Sequence, residues 1–217
     1  MKVIKTIIEK ILTSDKKLYY TITGGGTRAI SLLLENGGAS SVFLGANVCY
    51  HENDTKTIVG SVTKLCSAPV ASKLALGGYY ANSSLDKKEN ECVGISCTAS
   101  LRKQGKERED RVHEAFIGIR LYGDNGFSKL STVYHIQFNK TRTRKDEEDL
   151  LSNLILAITC QSMTVCKWEV STHTALLKEF GFDESLDKIS ILTFDSRTRQ
   201  DIKDEAENAE LEVTEGV

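Results

Sequence analysis

The chain has 217 residues, 40% hydrophobic and 27% charged, with a formal net charge of -2. That length suits one compact domain with its own core, and the near balance of charge argues against a nucleic-acid binder, which would carry a basic face. Its longest apolar runs, such as 29–34, fall far short of the roughly 20 residues of a membrane helix.

Val3, Ile4, Ile7, Ile8, Ile11 and Leu12 recur at helical spacing, so the chain opens with an amphipathic helix. Lys5, Glu9 and Lys10 interrupt that stretch, and no small-residue cleavage site follows, so it does not read as a signal peptide. Residues 18–22 (LYYTI) are aromatic and β-branched and predict a short buried strand. The strand runs into Thr23-Gly24-Gly25-Gly26-Thr27, after which 28–35 read as a helix closed by Asn36-Gly37-Gly38. Residues 41–50 (SVFLGANVCY) predict a second strand, and the polar stretch 51–56 a short helical turn ending at Gly60. Pro69, the one proline, suits the first turn of a helix over 70–80. A strand at 92–98 follows, then a charged loop at 102–111. Segments 115–122 and 131–138 read as a β-hairpin turning through 123–126. A helix opens at 145–148 with Leu150, Leu151, Leu154, Ile155 and Ile158 on its apolar face. Further on, 175–180 predict a helix and 188–194 (KISILTF) a strand, before an acidic, solvated tail at 201–217. Alternating strands and helices predict an α/β fold: a three-layer sandwich with a mixed sheet of five to six strands and helices on both faces. The main domain spans 1–162, an extension 163–200, and the tail 201–217.

The six cysteines, Cys49, Cys66, Cys92, Cys97, Cys160 and Cys166, form no CxxC pair and match no zinc-ligand spacing. They read as buried reduced thiols. His51 and His113 have no partner pattern, so neither a metal site nor a cofactor is expected. The expected setting is cytoplasmic, with no nucleic-acid or membrane partner.

The glycine loop is the strongest local signal. Consecutive glycines let a backbone turn sharply and approach a ligand closely. Free amides at the start of the next helix make an anion site, where Thr21, Thr23 and Thr27 offer hydroxyls and Arg28 a cation. Neither the Walker pattern nor the dinucleotide fingerprint is present, and the loop alone reads equally as a plain tight turn.

Thr21-Ile22-Thr23-Gly24-Gly25 resembles the ESCTGG signature of CinA C-terminal domains, the nicotinamide mononucleotide deamidase type. Residues 40–45 (SSVFLG) are similar to that family's GAS-x-x-F-x-G segment. Val48-Cys49-Tyr50 resembles its V-x-Y strand end, and 138–142 (FNKTR) stand where it has F-x-G-D-R. The resemblance covers roughly 1–160. It implies hydrolysis of the carboxamide of nicotinamide mononucleotide to nicotinic acid mononucleotide and ammonia, without a cofactor, by a homodimer whose interface includes 41–50. Carried over residue by residue, Thr21 takes the place of the family's serine and Tyr50 that of its tyrosine. Thr55 or Lys56 takes the lysine place and Arg142 the arginine place, with Thr23, Gly24, Gly25, Gly26 and Thr55 against the substrate. Such chemistry needs a hydroxyl or water nucleophile, a base and oxyanion donors. Three positions depart from the family: threonine replaces serine, Thr55 rather than Lys56 aligns with the lysine, and Ala99-Ser100 replaces a glycine-proline loop. The alternative is therefore a catalytically silent domain that binds a nucleotide or holds a dimer together.

Overall fold

The computed structural model describes residues 2–85, 91–103, 105, 110–121, 130–164 and 169–195. The expected hairpin turn at 123–126 and the acidic tail at 201–217 lie outside them.

Six strands form one sheet in the order β2-β1-β3-β4-β5-β6. β1 (Lys17–Thr23) lies parallel to both β2 (Phe43–Val48) and β3 (Cys92–Ser100). β4 (Glu114–Leu121), β5 (Leu130–Gln137) and β6 (Lys188–Asp195) follow in antiparallel order. The helices are α1 (Lys2–Leu12), α2 (Arg28–Leu34), α3 (Glu52–Val59), α4 (Ala68–Leu85), α5 (Arg144–Met163) and α6 (Thr174–Glu179). Among the described residues, no helix is long and apolar enough to cross a membrane.

Side-chain alternation along the strands separates the two faces. Leu18, Tyr20 and Ile22 of β1, Val93, Ile95 and Cys97 of β3, and Ala115, Ile117 and Ile119 of β4 enter the main core. There they meet the apolar stripe of α5, against which α1 and α2 also pack. The residues between them face α4. That helix approaches so closely that a Cβ on Gly94 would lie 2.1 Å from the Ala75 carbonyl oxygen. One on Gly118 would lie 2.5 Å from the Ala71 oxygen, and Ser96 Oγ donates to that same oxygen at 2.6 Å. The expected α/β sheet with helices on both faces is what forms.

α5 begins where the sequence supplies its cap. The Thr143 hydroxyl accepts the Asp146 amide while the Asp146 carboxylate accepts the Thr143 amide, which satisfies two orphan donors of the first turn. The extension joins the same body. Val170, Leu176, Leu177, Phe180 and Phe182 enter the main core, and β6 pairs with β5 along its whole length.

Candidate functional site

A groove of about 1120 Å³ opens at the carboxyl ends of the three parallel strands. The segments leaving those strands build its floor: Gly24 and Gly25 after β1, Val48 and Tyr50 at the end of β2, and Arg102, Lys103 and Gly105 after β3. Thr27, Arg28 and Ser31 of the α2 start form one wall, and Thr141, Thr143, Arg144, Lys145 and Glu148 around the α5 start form the other. In an open α/β sheet this end, where successive connections leave toward opposite faces, is where ligands sit.

The glycine loop is shaped from inside. Gly24 (φ +80°) and Gly26 (φ +90°) adopt left-handed conformations that suit glycine. A Cβ on Gly24 would lie 2.0 Å from the Ala99 carbonyl oxygen, and one on Gly26 2.3 Å from Ile155 Cδ1. The amides that would cradle an anion are engaged. Glu148 receives the Gly26 amide at 2.9 Å on each oxygen, together with the Thr27 hydroxyl at 3.3 Å and the Arg28 amide at 3.4 Å. A carboxylate of the chain itself occupies the anion cradle.

Positive charge lies beside it instead. Arg144 donates to the Gly24 carbonyl at 2.8 Å and to the Arg102 carbonyl at 3.4 Å. Arg102 donates to the carbonyls of Lys140 and Arg142 at 2.9 Å each. Both guanidiniums are thus held by neutral acceptors, and among the described residues neither pairs with a carboxylate. The backbone at Arg102 is fixed in turn by the buried Glu147, whose Oε2 accepts the Arg102 amide at 2.6 Å while Oε1 meets His113 Nδ1 at 2.6 Å. Two other groove cations share one partner, since Arg28 and Lys145 both pair with Asp149. At the rim Tyr50 is 85% exposed.

No protein-family model matches the chain, and no curated protein sequence does. Solved structures do. A CinA-superfamily protein from Klebsiella pneumoniae 700603 superposes with a TM-score of 0.56 at 8% identity, over 75% of this chain and 96% of that one. A second, from Enterobacter cloacae, gives 0.56 at 11% identity over 75% and 90%. The competence damage-inducible protein A of Klebsiella pneumoniae subsp. pneumoniae MGH 78578 gives 0.55 at 9% identity over 76% and 99%. The chain has the CinA-superfamily fold.

Within this CinA fold the expected site residues separate. Gly24, Gly25 and Tyr50 line the groove. Thr21 does not: an odd-numbered β1 residue, it points under α4, is 2% exposed, and its Oγ1 lies 3.0 Å from where a Cβ on Gly78 would stand. Thr23 and Gly26 adjoin lining residues without being among them. Thr55 is buried in α3 and donates to the Cys49 carbonyl at 3.4 Å, while Lys56 pairs with Glu52 one turn back. Arg142 is engaged by the extension, pairing with the buried Asp187 and donating to the Gly181 carbonyl at 2.6 Å. Among the described residues no group of three or more His, Cys, Asp or Glu is placed to hold a metal ion.

Arg102, Arg144 and Glu148 escaped the sequence reading. One signal pointed to the second of them. Arg144 and Lys145 are cations on the first turn of α5, where the helix dipole disfavours them by roughly 0.3–1 kcal/mol each, so their position calls for another reason.

Proposed function

We propose that the CinA-like domain binds a phosphorylated small molecule of the nucleotide class in the groove, and that it acts as a binding module rather than through a Thr21 nucleophile. The observation that carries this reading is the pair Arg102 and Arg144, held by carbonyls and facing the groove with no carboxylate partner among the described residues. A guanidinium fixed in this way offers charge-assisted, fork-shaped donors to a phosphate. The exposed Tyr50 ring gives a flat surface on which a base or pyridinium ring stacks.

Hydrolysis of nicotinamide mononucleotide is the second reading, supported by the CinA fold and by the resemblance at 21–25. It takes the same ligand into the same groove but requires a nucleophile, and the Thr21 hydroxyl lies beneath α4. Calorimetric titration with nicotinamide mononucleotide, coupled to an ammonia assay, separates the two. Salt-sensitive binding without ammonia supports the binding module. Ammonia release above the buffer blank supports the deamidase instead.

A homodimer fits either reading. β2 is an edge strand carrying no charged residue between Val42 and Tyr50, and such an edge is open to pairing with a second copy. Light scattering at micromolar concentration tests it, a monomeric mass counting against.

A further inference from the structure

We propose that Glu147 is a positioning residue for the groove: without touching the ligand, it holds the backbone of Arg102 where the guanidinium meets a phosphate. This rests on the reading of the groove as a phosphate site and adds to it the group that sets its geometry.

The placement of the carboxylate is the first ground. Glu147 lies in the first turns of α5, three and four residues before Leu150 and Leu151, and shares their buried face. An apolar side chain would continue that stripe. The carboxylate there is fully buried, at 0% exposure, and such a group is costly to desolvate unless its oxygens are bonded. The helix dipole favours an acid near this end, but it acts as well on an exposed one such as Asp146 in the cap, so it does not account for the burial.

The partners are the second ground. Oε2 accepts the Arg102 amide and Oε1 meets His113 Nδ1, each at 2.6 Å and each outside the helix. His113 is itself 2% exposed, and its carbonyl accepts the Phe138 amide at 2.8 Å. Through His113 the carboxylate ties the segment leaving β3 to the sheet. The Arg102 side chain donates to the carbonyls of Lys140 and Arg142, its carbonyl accepts from Arg144, and Glu147 takes its amide. A guanidinium fork binds by angle as well as distance, and it performs when supporting bonds of this kind hold it to within about 0.5 Å.

The test is a double-mutant cycle read by calorimetric titration with nicotinamide mononucleotide at low salt. Glu147→Met roughly keeps the volume, joins the apolar face and removes both acceptor oxygens. It should weaken binding about tenfold alone, but less than about twofold when Arg102→Gln is already present, because no guanidinium is then left to position. Glu147→Gln keeps an oxygen for the Arg102 amide and should bind within about twofold of wild type. An equal loss from Glu147→Met in both backgrounds overturns the inference, since a general loosening of the domain does not need Arg102. A Gln variant as weak as the Met variant overturns it too. Should Glu147→Met not fold, amide exchange in the wild type decides: slow exchange at Arg102 supports the inference, and exchange at the rate of an open loop overturns it. If the wild type does not bind nicotinamide mononucleotide at all, the reading of the groove falls and this inference with it.

Discussion

Glu148, on the second turn of α5, closes both carboxylate oxygens on the amide of Gly26 at 2.9 Å. The contact joins residues 122 positions apart and ties the loop after β1 to the helix that covers the main core. It also reassigns the glycine loop, whose donors serve the fold while the cations beside it face the groove.

Removing that carboxylate should be felt first in stability. Glu148→Ala strips the Gly26 amide of its acceptor, and a half-buried donor left in this way costs about 1–3 kcal/mol. Urea unfolding of the two proteins measures it. Glu148→Gln retains one acceptor oxygen and should lose less. Equal stability of all three would show that water serves the loop as well as Glu148 does.

Thr21→Ala should leave nucleotide affinity within about twofold of wild type, because its hydroxyl lies under α4 and not in the groove. A loss of tenfold or more in the same titration would mean that the hydroxyl reaches the ligand.

Gly94 and Gly37 make a matched pair. A Cβ on Gly94 would lie 2.1 Å from the Ala75 oxygen and 2.5 Å from the Tyr79 nitrogen, whereas one on Gly37 meets nothing within 4 Å. Gly94→Ala therefore forces α4 off the sheet and should cost about 3 kcal/mol or more. Gly37→Ala should stay within about 0.5 kcal/mol. Thermal melting of both variants checks the contrast, and a tolerated alanine at Gly94 would contradict the close approach.

The thiol of Cys66 gives a pH dependence. Burial, and then the Glu114 carboxylate, push it up to about 12. In the unfolded chain an ordinary thiol ionises near 8.5. The folded state therefore holds its proton more tightly, so this contribution to stability is complete below about 8.5 and is lost as pH rises toward 12. Urea midpoints should fall across that window, less steeply in Cys66→Ala. Iodoacetamide at pH 8 should modify Cys66 slowly in the native protein and quickly in urea. Rapid native labelling at Cys66 would refute the shift.

Much of this architecture is written locally. Apolar, β-branched runs mark β1, β3 and β4, the Thr143–Asp146 box marks the start of α5, and the run of glycines marks a turn that only small residues allow. These features depend on neighbours a few positions away, so the order of strands and helices follows from the sequence alone. The site depends on partners far apart. Alternation along β1 says that Thr21 and Ile22 face opposite ways, but only the packing of α4 and α5 decides which face is which, and it sends the hydroxyl of Thr21 under α4. Arg142 carries the same charge in the sequence as Arg144. The fold gives the first to Asp187 in the extension and the second to the groove. Whether a charge is spent on structure or left facing a ligand is settled by which carboxylate comes within hydrogen-bond reach, and that distance exists only once the chain has folded.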